Sequence, residues 1–219
     1  MIPVTAAKEP PHFNERVRER GLDAIAELVG EAPKKKRPGA KRAKVADERS
    51  KIPGKCFPPF WREALPDMLD SYSRVCAYLG LYIEHGTGSP SVDHVVPKSK
   101  KWDQVYEWDN YRLACSLVNS KKNNLDLSLD PFAIKDGTFA LELVGFQVIA
   151  GPLASQVLAR RVDKTIDVLG LNLRECCEAR REYVEAYDTR EIQFKYLLRR
   201  APFVAAELRR QGKLHPEDV

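Results

Sequence analysis

A chain of 219 residues is long enough to bury a genuine core, and we read it as a compact core with appendages; its 36 Lys plus Arg against 31 Asp plus Glu leave a net charge of +5, which alone is a weak argument for a polyanionic partner. The five cysteines, Cys56, Cys76, Cys115, Cys176 and Cys177, are odd in number and irregularly spaced, which argues against a disulfide framework and points to a reducing, cytoplasmic compartment. Lys8 and Glu9 interrupt any apolar signal core, and the longest apolar stretch, 139–154, is broken by Glu142, Gln147 and Pro152, so neither secretion nor a membrane partner is expected.

The first thirteen residues carry Pro3, Pro10 and Pro11 and read as extended. From Asn14 the spacing of Val17, Leu22, Ile25 and Val29 predicts an amphipathic helix ending near Gly30, weakened by Gly21. The stretch 33–55 gathers Lys34, Lys35, Lys36, Arg37, Lys41 and Arg42 with few large apolar residues, and Pro38-Gly39 and Pro53-Gly54 predict a loop or flexible arm. Such an arm can track phosphates without sequence preference, or serve only as a solvated linker. A helix is predicted from Phe57 through Leu69, Tyr72, Val75 and Cys76, then a short strand over 81–84 and a turn over 85–90. Past the central stretch, 138–150 alternates as a hairpin with Gly145 at its turn. Leu158, Val162, Ile166 and Leu169 share a helical face stopped by Gly170, Asn172 is placed to cap a second helix through Cys176, Val184 and Tyr187, and a third helix from Thr189 meets Pro202, where a new turn or kink is required.

Between these lies the stretch 91–124, SVDHVVPKSKKWDQVYEWDNYRLACSLVNSKKNN, which carries the chemistry. Hydrolysis of a phosphodiester needs an activated water and a charge partner for the transition state. His94 is a candidate base at physiological pH, and Asp93 and Asn119 offer hard oxygen ligands suited to Mg²⁺. Adjacent residues on a regular strand point to opposite faces, so the strand holding Asp93 and His94 must end or bend there, and Pro97 is consistent with that. A second strand over 111–114 and a short helix over 116–122 would bring Asn119 to the same place. The plainer alternative for His94 is a buried histidine satisfied by Asp93. The lysines Lys98, Lys100, Lys101 and Lys121 serve as phosphate contacts or as solubility charges, and Trp102 and Trp108 more commonly pack than stack on a base.

These residues, Asp93-His94-x-x-Pro97, Trp108-Asp109-Asn110 and Asn119-x-x-Lys122, resemble the HNH nuclease motif of the ββα-metal fold, in the variant whose last histidine is an asparagine, as in CRISPR effector nucleases. The resemblance implies an α+β chain: an HNH nuclease core over 56–128, preceded by an N-terminal helix and basic arm over 1–55 and followed by a β-hairpin and helical region over 129–219. It implies that His94 is the general base, that Asp93 and Asn119 hold Mg²⁺ or Mn²⁺, that Asn110 braces the loop and orients His94, and that Lys122 contacts phosphate. The charge distribution, apart from the resemblance, adds Lys121, Lys98, Lys35, Lys36 and Arg37 as candidate nucleic-acid contacts. The implied reaction is endonucleolytic cleavage of DNA leaving a 5′-phosphate and a 3′-hydroxyl; RNA is compatible with the same metal chemistry. Many HNH proteins add two Cys-x-x-Cys pairs that bind a structural zinc. Here the second members are Leu79 and Val118, so no structural zinc is expected, and the apolar pair is expected to pack with Cys76 and Cys115. The flanks CAYLGLYIEHGTG, DPFAI and TIDVLGLN are similar to stand-alone bacterial HNH proteins of phage defence, including partners of retron or Septu-type ATPases, which implies an ATPase or other defence protein as partner. Two rival readings remain, a nucleic-acid-binding module that does not cut and a subunit silent until a partner assembles with it.

Overall fold

The computed structural model describes residues 1–219 as a mixed helix and strand structure with two separate two-stranded antiparallel sheets. Helix α1 (Arg20–Leu28) continues a π-helical turn over Asn14–Glu19, and its inward face buries Ala24, Ile25 and Leu28. Gly21 is buried where the Tyr106 ring lies against the helix backbone, and a Cβ there would sit 2.1 Å from the ring. Close approach, not flexibility, accounts for that glycine.

The basic stretch after α1 forms only short 3₁₀ turns at Arg49–Lys51 and Gly54–Cys56, as its composition leads one to expect, but it is laid onto the acidic face of α1. Lys35 pairs with Glu19 at 2.6 Å, Arg42 and Arg37 pair with Glu27 at 2.6 and 3.3 Å, and Arg49 pairs with Glu31 at 2.5 Å. Of the two expectations for this stretch, loop or flexible arm, the loop holds: Glu27 of α1, with Glu19 before it and Glu31 after it, turns the positive run into a strap.

The helix predicted from Phe57 to Cys76 is shorter than expected. A 3₁₀ turn over Phe60–Ala64 leads into α2 (Leu65–Ser71), and the chain then reverses through Ser73 and Arg74, both at positive φ. The strand expected over 81–84 is reduced to a single bridge between Val75 and Tyr82, with the Cys76 N–H bonding the Leu81 carbonyl on one side of it and Ser73 and Arg74 at positive φ on the other. That turn places Tyr78 in the interior.

Strand β1 (Pro90–His94) pairs antiparallel with β2 (Tyr111–Cys115), with Asp93 opposite Arg112 and His94 opposite Tyr111. Helix α3 (Ser116–Lys122) leaves β2 without an intervening loop and packs on both strands. The hairpin β3 (Phe139–Leu141) and β4 (Val148–Ala150) follows, its turn fastened by Glu142, whose carboxylate accepts the Gly145 N–H at 2.8 Å. Helix α4 (Gln156–Leu169) is capped by Ser155 and stopped by Gly170 in the left-handed region, as its pattern predicts.

Asn172 does not cap α5 (Arg174–Asp188). Its amide instead pairs both ways with the Val148 backbone, accepting at 2.7 Å and donating at 2.9 Å, and so ties β4 to the helical region. The third predicted helix is two, α6 (Phe194–Arg200) and α7 (Pro202–Arg210), broken at Ala201 as Pro202 requires. Phe13 and Ile25, Leu113 and Val118, and Leu169 and Phe203 belong to one contiguous core, so the three sequence regions are packed together. No helix is long and apolar enough to cross a membrane.

Candidate active site

Strand β1 ends at His94: the Val95 N–H still bonds the Asn110 carbonyl in register at 2.9 Å, but the next N–H, that of Val96, turns to the Asn110 side chain at 2.8 Å. That ending meets the geometric condition on Asp93 and His94: both line one cavity of about 710 Å³, together with Asn119 from α3.

His94 is buried, held edge-on between Trp61 (centroids 5.0 Å apart) and Tyr111 (5.1 Å). Its Nε2 lies 2.9 Å from the Val105 carbonyl, which accepts a second hydrogen bond from the Tyr111 hydroxyl at 2.8 Å. A carbonyl only accepts, so Nε2 carries the proton and Nδ1 is a bare lone pair without a protein partner. Burial, reinforced by the Lys98 charge, pushes the imidazole down to about 3, so the ring is neutral throughout the physiological range.

Asn110 ends a 3₁₀ turn over Trp108–Asn110. Its Oδ1 accepts the Val96 N–H at 2.8 Å, and its Nδ2 donates to the Val96 carbonyl at 3.1 Å and the Gln104 carbonyl at 2.9 Å. Every position of this side chain that the loop can use is thus spent closing residues 96–104, and Gln104 precedes the residue whose carbonyl orients His94.

Asp93 is buried, with one carboxylate oxygen 2.9 Å from the Lys122 ammonium and the other accepting from the Tyr78 hydroxyl. Burial raises the Asp93 carboxyl above its ordinary value, and the Lys122 charge opposes that rise. Both carboxylate oxygens therefore have protein partners, and each keeps lone-pair capacity beyond that one contact. Asn119 donates through Nδ2 to Ser91 Oγ at 3.1 Å and to the Val92 carbonyl at 3.3 Å, which fixes the amide and leaves Oδ1 with no protein partner. One carboxylate and one unpartnered amide oxygen lining a single cavity suit a hard cation such as Mg²⁺ or Mn²⁺, whose remaining ligands are water and phosphate.

The structure distributes the other expected contacts unequally. Lys122 is fully buried under Asp93 and also donates to the His94 carbonyl, so it does not present its ammonium to a phosphate at the surface. A lysine at this point neutralises a carboxylate that would otherwise be buried unpaired. Lys98 lines the cavity. Lys121 is exposed beside Gly170 and lies outside that cavity, while Lys35, Lys36 and Arg37 line a separate cavity with Glu19, Asp23 and Glu27. Trp108 belongs to the core and donates through its indole N–H to the Ala7 carbonyl at 2.8 Å.

Sequence reasoning missed Tyr78, Trp61, Arg62 and the Val105 carbonyl. Tyr78 had one signal, an aromatic with a polar tip in an otherwise apolar run; a backbone carbonyl has none. Leu79 and Val118 are buried, and the Cys115 N–H approaches Cys76 Sγ at 3.5 Å. The hydrogen bond from the Cys76 thiol lowers Cys115, while burial raises Cys76. Among known proteins, the chain matches no family model and no curated sequence.

Proposed function

We propose that the chain is a metal-dependent endonuclease of the HNH type, hydrolysing phosphodiester bonds of DNA, with β1, β2 and α3 as its ββα-metal core. The observation that carries this reading is a neutral His94 whose Nε2 is spent on the Val105 carbonyl and whose Nδ1 has no protein partner, in one cavity with Asp93 and Asn119. His94 Nδ1 takes a proton from water as its oxygen attacks phosphorus, the bond to the 3′-oxygen breaks, and that oxygen leaves and is protonated by solvent. Asp93 and Asn119 would hold Mg²⁺ or Mn²⁺, which supplies Lewis-acid stabilisation of the charge developing on the phosphate and leaving oxygens. A base with its pKa near 3 is weak, but an anionic phosphate entering the cavity favours the imidazolium and raises that value, so proton acceptance is coupled to substrate occupancy.

The test is conversion of supercoiled plasmid to nicked and linear forms by purified protein with Mg²⁺ or Mn²⁺. His94→Ala is expected to lower the cleavage rate roughly 10²- to 10⁴-fold, with DNA binding retained. Equal cutting by the variant and wild type would overturn the assignment of His94.

A second reading draws on the Lys122–Asp93 pair, in which an ammonium already holds the oxygen a cation needs. In that reading the chain binds nucleic acid without cutting, or cuts only after a partner such as an ATPase draws Lys122 away. Calorimetric titration with Mn²⁺ separates the two: uptake by wild type supports the active enzyme, and uptake by Lys122→Met alone supports the silent form.

A further inference from the structure

The cavity that holds Asp93, His94 and Asn119 is lined also by the 3₁₀ turn Phe60–Ala64, which lies outside the unit of two strands and α3. Two cations line it, Arg62 from that turn and Lys98 from the loop that follows β1. Charged residues close to them in sequence are paired, since Glu63 pairs with Arg20 at 2.5 Å and Lys100 pairs with Asp126. Arg62 and Lys98 form no ion pair with any carboxylate, in a chain where Arg18, Lys35, Arg37, Arg42 and Arg49 all do.

Lys98 is half-buried with its ammonium 4.1 Å from the centre of the Trp61 ring, and the same ring packs edge-on against His94. Burial, and then the charge of the exposed Arg62, lower the Lys98 ammonium below its ordinary value, while the Asp93 carboxylate opposes them. Like charges lining one cavity repel, and an anion bound there relieves that repulsion. A phosphodiester carries one negative charge on two non-bridging oxygens, which matches a guanidinium fork beside a point charge.

We infer that Arg62 and Lys98 form a phosphate clamp that seats one phosphodiester of a nucleic-acid strand against His94, with Trp61 as the positioning residue shared by the clamp and the base. This rests on the nuclease reading above. It places substrate recognition on the segments that flank β1, apart from the basic strap, whose Lys35, Arg37, Arg42 and Arg49 are paired with acidic residues in and beside α1.

The test uses the full chain carrying His94→Ala, in chelator so that nothing is cut, with a fluorescein-labelled DNA duplex followed by anisotropy across a range of salt concentrations. Adding Arg62→Ala or Lys98→Ala is expected to weaken binding roughly tenfold each and to reduce the slope of log affinity against log salt by about one each. Lys98→Arg is expected to restore the slope, a readout that a merely structural role would not move. Lys213→Ala, an exposed cation outside the cavity, serves as the unchanged control. Neither clamp residue has a carboxylate to orphan; if an alanine variant melts early, Arg62→Gln and Lys98→Gln carry the same readout. Unchanged affinity and slope in the clamp variants, alongside wild-type protein that cuts the duplex in Mg²⁺, would overturn the clamp and leave the nuclease standing. No binding by the parent and no cutting by wild type would overturn both.

Discussion

His94 owes its protonation state to its surroundings, and the consequence is measurable as stability. Its folded value, about 3, lies below the ordinary value near 6.5, so between those limits the unfolded chain binds a proton that the folded chain refuses. The contribution is present above pH 6.5 and is lost as pH falls toward 3. Asp93 acts with the opposite sign, because its carboxyl is raised. Comparing wild type with His94→Gln isolates the histidine: in urea denaturation with chelator present, wild type is expected to lose about 2 kcal/mol more than the variant between pH 7 and pH 5. Equal losses would show that His94 is not desolvated as described. Asn110 is the second test at this level. Its alanine variant orphans the Val96 N–H and two carbonyls, and is expected to cost about 2 kcal/mol in chemical denaturation and to slow cleavage by freeing the loop that aims His94.

Local pattern and local packing disagree most clearly at Gly21 in α1. Helix propensity alone makes Gly21→Ala stabilising, by close to 1 kcal/mol. The Tyr106 ring occupies the position of the added methyl, so the substitution is expected to destabilise instead, by about 1–3 kcal/mol, seen as a lower Tm. A raised Tm would mean that the ring moves aside freely. The strands and α3 were legible in the sequence because β-branched residues flank Asp93-His94 and a short polar helix follows β2 directly. The segment after α2 was not, since Tyr72, Val75 and Cys76 keep helical spacing although the chain reverses at Ser73 and Arg74. Asn172 was misread for a related reason: its side chain satisfies a distant strand backbone in preference to its own helix.

Taken together, the 219 residues share one core, and the basic strap is fastened to it through α1. Arg42, and then Arg37, hold the Glu27 carboxylate below the usual range against the opposing effect of burial. Glu27→Ala is expected to release the strap, so that limited trypsin digestion cuts faster between Lys34 and Lys44 while the remainder resists, as read by mass spectrometry; an unchanged pattern would show that the strap is held by other contacts. The kinds of group that the proposed phosphodiester chemistry calls for, and their order along the chain, are present in the sequence as Asp93, His94, Asn110 and Asn119, because side-chain type and spacing are local properties. Which ring nitrogen of His94 is bare, the burial of Lys122 under Asp93, and the convergence of Arg62 and Lys98 on one cavity were decided only in three dimensions. Each depends on a partner distant in sequence, Val105, Asp93 or Trp61, and on the exclusion of water by a core to which every region contributes.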